Sequence, residues 1–367
     1  MINIFINSGH SFFSLRSDLI NFLLKKRKKI NLYYPNNFNK INKNYNNKIK
    51  LNKIFISNNK FQIKNLVHTF FSIKKKFIKS DINLIFGTYL NFIFGIFCIF
   101  FSTKKNIFVF TGLGSFFDSK NLILIFFVKK IFLYLIKKEN CFFVFYNSFD
   151  RSSLFEKKYF KKTCIINGSG ITIKKKKKLN LISKRINFVF YSRINRHKGI
   201  NELLSAIEEL NKNEYDKYFN LNIYGLFDNN PTSLNKNEFL NRIKKLKNCH
   251  YYKTSYNVNL KKNFSNNHFF ILPSHREGLP KTALEAMLHN NGLLISNIPA
   301  HSKLISTSRR NGLFFKVKSV QDLKKKMIWL INNKSKANLF IKNSFYNVKR
   351  FDNKIINQKF YEFIFKK

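Results

Sequence analysis

In a chain of 367 residues with 68 Lys plus Arg and only 18 Asp plus Glu, each acid invites a reason for its position. Two of them, Glu277 and Glu285, stand in "FFILPSHREGLPKTALEAMLHNN", separated by a segment that contains Gly278, Leu279 and Pro280. The apolar run ending in "ILPS" reads as a strand and "KTALEAMLH" as a helix. Glu277 therefore falls at the carboxyl end of a strand, where α/β sheets bind ligands. Pro280 suits the first helical position, because its φ is preset and its missing N–H would have no partner there. Glu285 then lies inside the helix, and the N–H groups near Lys281 and Thr282, with the helix dipole, favour an anion. A phosphate seat beside two carboxylates that accept from hydroxyls suits a sugar nucleotide.

The cations come from "FVFYSRINRHKGI". Arg193 ends a strand, and Lys198 precedes Gly199 at the entry to a helix, so both can converge on a diphosphate. A guanidinium fork and a Lys point charge would neutralise a departing nucleotide without a metal. Alone, the two are solvated charges in a basic chain; beside a Glu pair at a matching strand end they point to one site. His10 and His275 fall near the expected cleft and read as structural or solvated. Gly168 and Gly170 in "NGSG" read as a turn.

The elements that must position these groups alternate in α/β fashion. "INIFIN", "INLYYP", "INLIFG", "NIFVFTG" and "CFFVFYN" read as strands; "FFSLRSDLINFLLKKRKK", Thr88–Phe101 and Leu122–Lys138 read as helices. Short apolar runs without strict alternation, separated by helices, predict a parallel sheet covered on both faces. A run of five lysines follows "INGSGITI", and the alternation restarts with "INFVFYSR", "FNLNIYG", "CHYYK", "HFFILPS" and "GLLIS" as strands. The expected division is a first Rossmann-like domain over 1–171, a Lys-rich linker over 172–185, a second Rossmann-like domain over 186–345 and a terminal amphipathic helix over 346–367.

At this length two domains are expected. The formal net charge of +50 raises a polyanionic partner, nucleic acid or an anionic membrane. The excess nevertheless falls on Lys, Asn, Ile, Phe and Tyr together, as AT-rich codon usage produces, and the lysines are spread through every segment. Glu277 and Glu285 also stand where a polyanion would disfavour them, so no nucleic-acid partner is expected. Four separated cysteines show neither a disulfide framework nor a zinc pattern, and there is no D-x-D metal motif. The N-terminus lacks a secretory pattern. The uncharged stretch Ile82–Thr103 is long enough to span a bilayer, but its Gly, Asn and Thr residues favour a strand, a turn and a buried helix. Phe and Lys interleave in "FFSIKKKFIKS" and "FFVKKIFLYLIKK", giving basic aromatic surfaces suited to an anionic bilayer.

"YSRINRHKGINELLSAIEEL", "LNIYG", "FILPSHREGLPKTALEAM" and "NGLFFKVKSVQDL" resemble the second domain of the family-4 retaining glycosyltransferases of GT-B fold, whose signature is the spaced Glu pair. "VFTGLGSFF", "FVFYNSFDRSSLF" and "INGSGI" resemble first-domain segments of the bacterial subgroup that acts on undecaprenyl-diphosphate-linked saccharides, and "FDNKIINQKFYEFI" resembles the family's helix that crosses back to the first domain. The resemblance implies two Rossmann-like domains facing a cleft and a UDP-sugar donor without metal or other cofactor. It also implies a lipid-linked saccharide acceptor and a peripheral place on the cytoplasmic face of the membrane. Glu277 would contact the donor sugar, Glu285 the ribose, and Arg193 and Lys198 the departing UDP. The donor would also meet Gly278, Leu279, Pro280 and Thr282. Gly9, His10, Thr111, Gly112 and Gly114 would face the cleft from the first domain. Two segments depart from the pattern: Asn290–Asn291–Gly292 stands for the usual Gly-x-Pro, and Pro299–Ala300–His301–Ser302 for Pro-Gly-Cys-Arg. Asn tolerates the left-handed conformation, so the first turn is expected to survive.

Overall fold

The structure, a computed structural model, describes residues 1–7, 15–35, 49–55, 63–78, 80–101, 104–113, 122–173, 178–227, 232–254 and 260–365. The chain forms two compact units, one of Met1–Ser169 with Asn353–Lys367 and one of Gly170–Asp352.

The first unit contains β1 (Ile2–Ile6), α1 (Ser17–Lys25), β2 (Ile30–Pro35), β3 (Lys50–Ile54), α2 (Ile63–Ile78), β4 (Ile82–Phe86) and α3 (Thr88–Phe100). It continues through β5 (Lys105–Phe110), α4 (Leu122–Leu135), β6 (Cys141–Phe145), α5 (Ser148–Leu154) and β7 (Thr163–Ile165). The seven strands are ordered β3-β2-β1-β4-β5-β6-β7, and all their pairings are parallel. The order reverses between β1 and β4, which makes the gap beyond their carboxyl ends the ligand position of this topology. One face buries Ile73 and Phe77 of α2, Tyr89 to Cys98 of α3 and Phe132 of α4. The other takes Leu19, Ile20 and Leu23 of α1 together with Ile356, Phe360, Phe363 and Ile364 of the helix Asn353–Phe365. That last helix returns to the first unit because its apolar residues complete this layer. Phenylalanine fills the core where Val and Leu are usual, with Phe108 and Phe143 stacked across strands at 5.2 Å and Phe110 and Phe145 at 5.1 Å.

The second unit has β8 (Ile186–Tyr191), α6 (Ile200–Lys212), β9 (Phe219–Gly225), α7 (Lys236–Lys244), β10 (Cys249–Lys253) and α8 (Leu260–Ser265). There follow β11 (Phe269–Leu272), α9 (Lys281–Leu288), β12 (Gly292–Ser296), β13 (Gly312–Phe315), α10 (Val320–Asn332) and α11 (Lys334–Val348). The strand order β10-β9-β8-β11-β12-β13 places its reversal between β8 and β11, and these pairings are also parallel. Helices α6, α7 and α10 cover one face and α9 the other, while α11 contributes Ala337, Phe340 and Ile341 to the first layer and Phe345 and Val348 to the second.

Two boundaries differ from the sequence expectation. Residues 172–185 belong to the second unit. There Ile182 is buried, its N–H donates to Asn338 Oδ1 at 2.8 Å, and Lys334 Nζ donates to Lys184 O at 2.9 Å. The polar composition of that stretch hides a contact made by one Ile and two backbone groups; positions 174–177 lie outside the described residues. The crossover helix starts at Asn353, since Tyr346–Val348 complete α11 and Ile171 N–H donates to Phe351 O at 2.9 Å. Ile82–Thr103 is a strand, a turn and a helix over its described part, and among the described residues no helix is long and apolar enough to cross a membrane.

Candidate active site

The donor-site residues named from the sequence lie on the segments after β8 and β11, the two strands that flank the reversal of the second sheet, with Thr282 and Glu285 inside α9. After β8, Asn195 caps a short 3-10 turn, its side chain accepting from Lys198 N–H at 3.1 Å. Gly199 then adopts φ 69, in the left-handed region. A Cβ there would stand 2.0 Å from the carbonyl oxygen of Pro273, so only glycine lets this turn pack on the end of β11. His275 N–H donates to His197 O at 2.9 Å, closing the two loops together.

That closure brings Lys198 onto Glu277. Lys198 Nζ donates to Glu277 Oε1 at 2.5 Å, and Ser274 Oγ donates to the same oxygen at 2.7 Å. The side chains are 17% and 11% exposed, which separates this pair from the solvated surface bridges of the chain. Burial pushes the Glu277 carboxyl up, but Lys198 and Ser274 outweigh it and hold the group below its usual range. The carboxylate stays ionised, poised to accept hydroxyls. Arg193 lies two residues beyond β8 and is exposed.

Glu285 lies in α9, half-buried. Burial is the larger influence, only partly opposed by Lys281, and pushes its carboxyl up to about 7. Tyr191, at the end of β8, feels that carboxyl as well. Gly278, Leu279 and Thr282 are half-buried along the same segment. Pro280 caps α9 with ψ 110 and its carbonyl accepts from Ala283 N–H at 3.1 Å, one position earlier than expected. The first helical residue is Lys281, whose first-turn neighbours keep the N–H groups that lack intrahelical acceptors.

Four participants were not legible as site residues. Ser274 is visible only as the residue closing "ILPS". Glu202 and His275 pair at 2.7 Å, tying α6 to the β11 loop, so His275 is part of the scaffold. His301, in the departing segment, is fully buried; its Nδ1 donates to Ser296 O at 2.8 Å, while Nε2 has no partner among the described residues. Burial pushes its ring down to about 4 despite the nearby Glu277 carboxylate, so it is a neutral group beneath the pair. The other departing turn survives with Asn290 at φ 65.

In the first unit, Thr111 and Gly112 lie beyond β5 at the carboxyl edge, and Thr88 Oγ1 donates to Gly112 O at 3.0 Å. Gly9, His10 and Gly114 fall outside the described residues.

Two doubly wound units, the second carrying a half-buried Lys–Glu pair at its switch point and a second Glu on the following helix, define a protein of GT-B fold. Solved structures agree over the whole chain. Sucrose-phosphate synthase from Thermosynechococcus elongatus matches with a TM-score of 0.78 at 12% identity, over 98% of this chain and 97% of that one. Anabaena HepE in complex with UDP and glucose matches with a TM-score of 0.73 at 13% identity, over 98% of both chains. Residues 172–345, nearly all of the second unit, match the family model described as glycosyl transferases group 1. A curated relative, the N,N'-diacetylbacillosaminyl-diphospho-undecaprenol alpha-1,3-N-acetylgalactosaminyltransferase of Campylobacter jejuni, is 27% identical over 212 residues. That match spans 54% of this chain and 53% of the relative, about half the relative's length.

Proposed function

We propose that the chain is a retaining glycosyltransferase that moves a sugar, an N-acetylhexosamine or a hexose, from UDP to a polyprenyl-diphosphate-linked saccharide. The observation that carries this reading is the Lys198–Glu277 pair at the switch point of a group 1 glycosyl transferase domain. Glu277 accepts from donor-sugar hydroxyls and stabilises positive charge developing at the anomeric carbon. Lys198, already beside it, turns one of its N–H donors to the diphosphate, and Arg193 supplies the second cation, so the leaving charge is met without a metal. Glu285 accepts from the ribose hydroxyls. The bond from the anomeric carbon to the UDP oxygen breaks as the bond to the acceptor oxygen forms on the same face. The acceptor's proton passes to the leaving phosphate, and no protein nucleophile is required.

The relative's lipid-linked substrate supports the acceptor class, and the first unit supports work at an anionic membrane surface. On α4, Ile123, Phe126, Phe127 and Tyr134 are exposed, as are Phe100 on α3 and Val67 and Phe71 on α2. Lys130 lies 5.3 Å from the Phe126 ring centroid and Lys138 5.2 Å from that of Tyr134. Rings with adjacent ammonium groups match the interfacial region of an anionic bilayer. Incubation with radiolabelled UDP-sugars and a membrane lipid extract, followed by organic extraction, tests the reading. Label in the organic phase is expected with at least one donor. Label confined to the aqueous phase would transfer the assignment to a soluble acceptor, and no transfer from any UDP-sugar would overturn it.

A further inference from the structure

We infer that Arg16 forms a phosphate seat at the carboxyl edge of the first sheet, for the diphosphate of the acceptor; this rests on the acceptor class proposed above. Among the described residues, Arg16 and Asp150 are the only buried Asp, Glu, Lys or Arg residues, and Arg16 is 3% exposed. Asp150 has a partner: its carboxylate accepts from Asn147 Nδ2 at 2.9 Å, and its backbone N–H donates to Asn147 Oδ1 at 2.7 Å. Arg16 pairs with no carboxylate among the described residues. A buried cation without a counter-ion is costly, and the first acid of the sequence, Asp18, comes after it.

The placement is equally specific. Arg16 immediately precedes α1, the helix after β1, and its guanidinium lies 4.2 Å from the ring centroid of Phe86, the last residue of β4. Strands β1 and β4 flank the reversal of the first sheet, so the group occupies the position in this sheet that Lys198 and Glu277 occupy in the other. Its orientation is fixed from one side. Nη1 donates to Tyr146 Oη at 2.6 Å and to Leu15 O at 3.2 Å. Nε is buried without a partner, and Nη2 makes no hydrogen bond among the described residues. The unused edge, Nε with Nη2, is the one whose two parallel N–H groups span two oxygens of a phosphate.

Calorimetric titration of the full chain with farnesyl diphosphate, in saturating UDP, tests the seat. Saturable binding is expected, weakened about 10- to 100-fold in Arg16→Gln by loss of a charged bidentate contact, with UDP affinity unchanged. Arg16→Lys keeps the charge and loses the fork, and is expected to fall between. Tyr146→Phe keeps the ring and releases Nη1; it is expected to weaken diphosphate binding several-fold, and serves if Arg16→Gln fails to fold. Farnesol in place of the diphosphate separates phosphate recognition from apolar binding, and inorganic pyrophosphate separates a free anion from one carried on a lipid. Farnesyl diphosphate affinity that is equal in wild type and variants, or equal to that of farnesol, overturns the seat while UDP binding keeps the donor assignment. Failure of both UDP and the diphosphate to bind overturns both.

Discussion

Replacing Lys198 with Met removes the cation while keeping most of its apolar stem, and the site geometry sets the expected size of the effect. The ion pair is 2.5 Å long with side chains 17% and 11% exposed, so its gross attraction at an effective dielectric of 20 is about 7 kcal/mol. Desolvation offsets much of that, and removing one partner of a buried pair costs about 3–5 kcal/mol. Partial exposure and the surviving Ser274 bond place this variant near the lower end, about 3 kcal/mol. The cost depends on pH with a definite sign. In wild type the folded Glu277 pKa is below the unfolded value, so its contribution is present above about pH 4.5 and is lost as pH falls through the folded pKa. Without Lys198 the burial influence is left to dominate, the carboxyl rises above its unfolded value, and the variant loses stability as pH climbs past 4.5. The gap between the proteins is therefore wide at pH 7.5 and narrower at pH 5. Urea unfolding followed by the single Trp, Trp329 on α10 of the second unit, reads this directly. A Lys198→Met protein within about 0.5 kcal/mol of wild type at pH 7.5, or a double-mutant cycle with Glu277→Gln showing no coupling, refutes the reasoning.

Three further outcomes follow from the same geometry. Because the Glu285 carboxyl is pushed up to about 7 and the role proposed for it is to accept ribose hydroxyls as a carboxylate, UDP affinity is expected to rise about tenfold from pH 6 to pH 8. Glu285→Gln flattens that profile in calorimetry. His268 and His301 are both pushed down to about 4 by burial, and His268 Nδ1 accepts from Asn187 N–H at 2.8 Å, a bond only the neutral ring makes. Unfolded His takes up its proton near pH 6.5 first, so the second unit loses stability as pH falls from 6.5 towards 4, and His301→Gln lessens the slope of urea midpoint against pH. Gly199→Ala forces a Cβ to 2.0 Å from Pro273 O at φ 69. It is expected to cost at least about 3 kcal/mol and to lower sugar transfer with it, measured on a preparation shown to be folded.

The legible part of this protein is what short-range chemistry writes. Apolar runs such as "INIFIN" and "FNLNIYG" gave their strands, and the Glu pair with its Gly-Pro turn gave the edge of the second sheet. Strand β3, "KLNKI", escaped because an edge strand needs few apolar residues and this one exposes polar side chains. Helix α11 escaped because its polar face is rich in Lys and Asn, like the surface around it. Within the site, the sequence raised the expectation that Lys198 and Glu277 meet one ligand, but not that they are partners of each other. Their meeting depends on Gly199 resting against Pro273, a contact between positions 74 apart. Arg16 carried no signal, since one arginine among 68 basic residues looks solvated until Phe86 and Tyr146 enclose it. His301 likewise stood out only as a departure from a family pattern, and its neutral, buried state comes from the packing of the second unit.

The most direct measurement of the central claim is the rate of sugar transfer by Glu277→Gln at saturating UDP-sugar, with the UDP dissociation constant measured on the same preparation. The account predicts a rate lowered by about a hundredfold or more with UDP affinity within about threefold of wild type, since the proposal assigns Glu277 to the sugar and Glu285 to the nucleotide. A Glu277→Gln protein that transfers sugar as fast as wild type contradicts it.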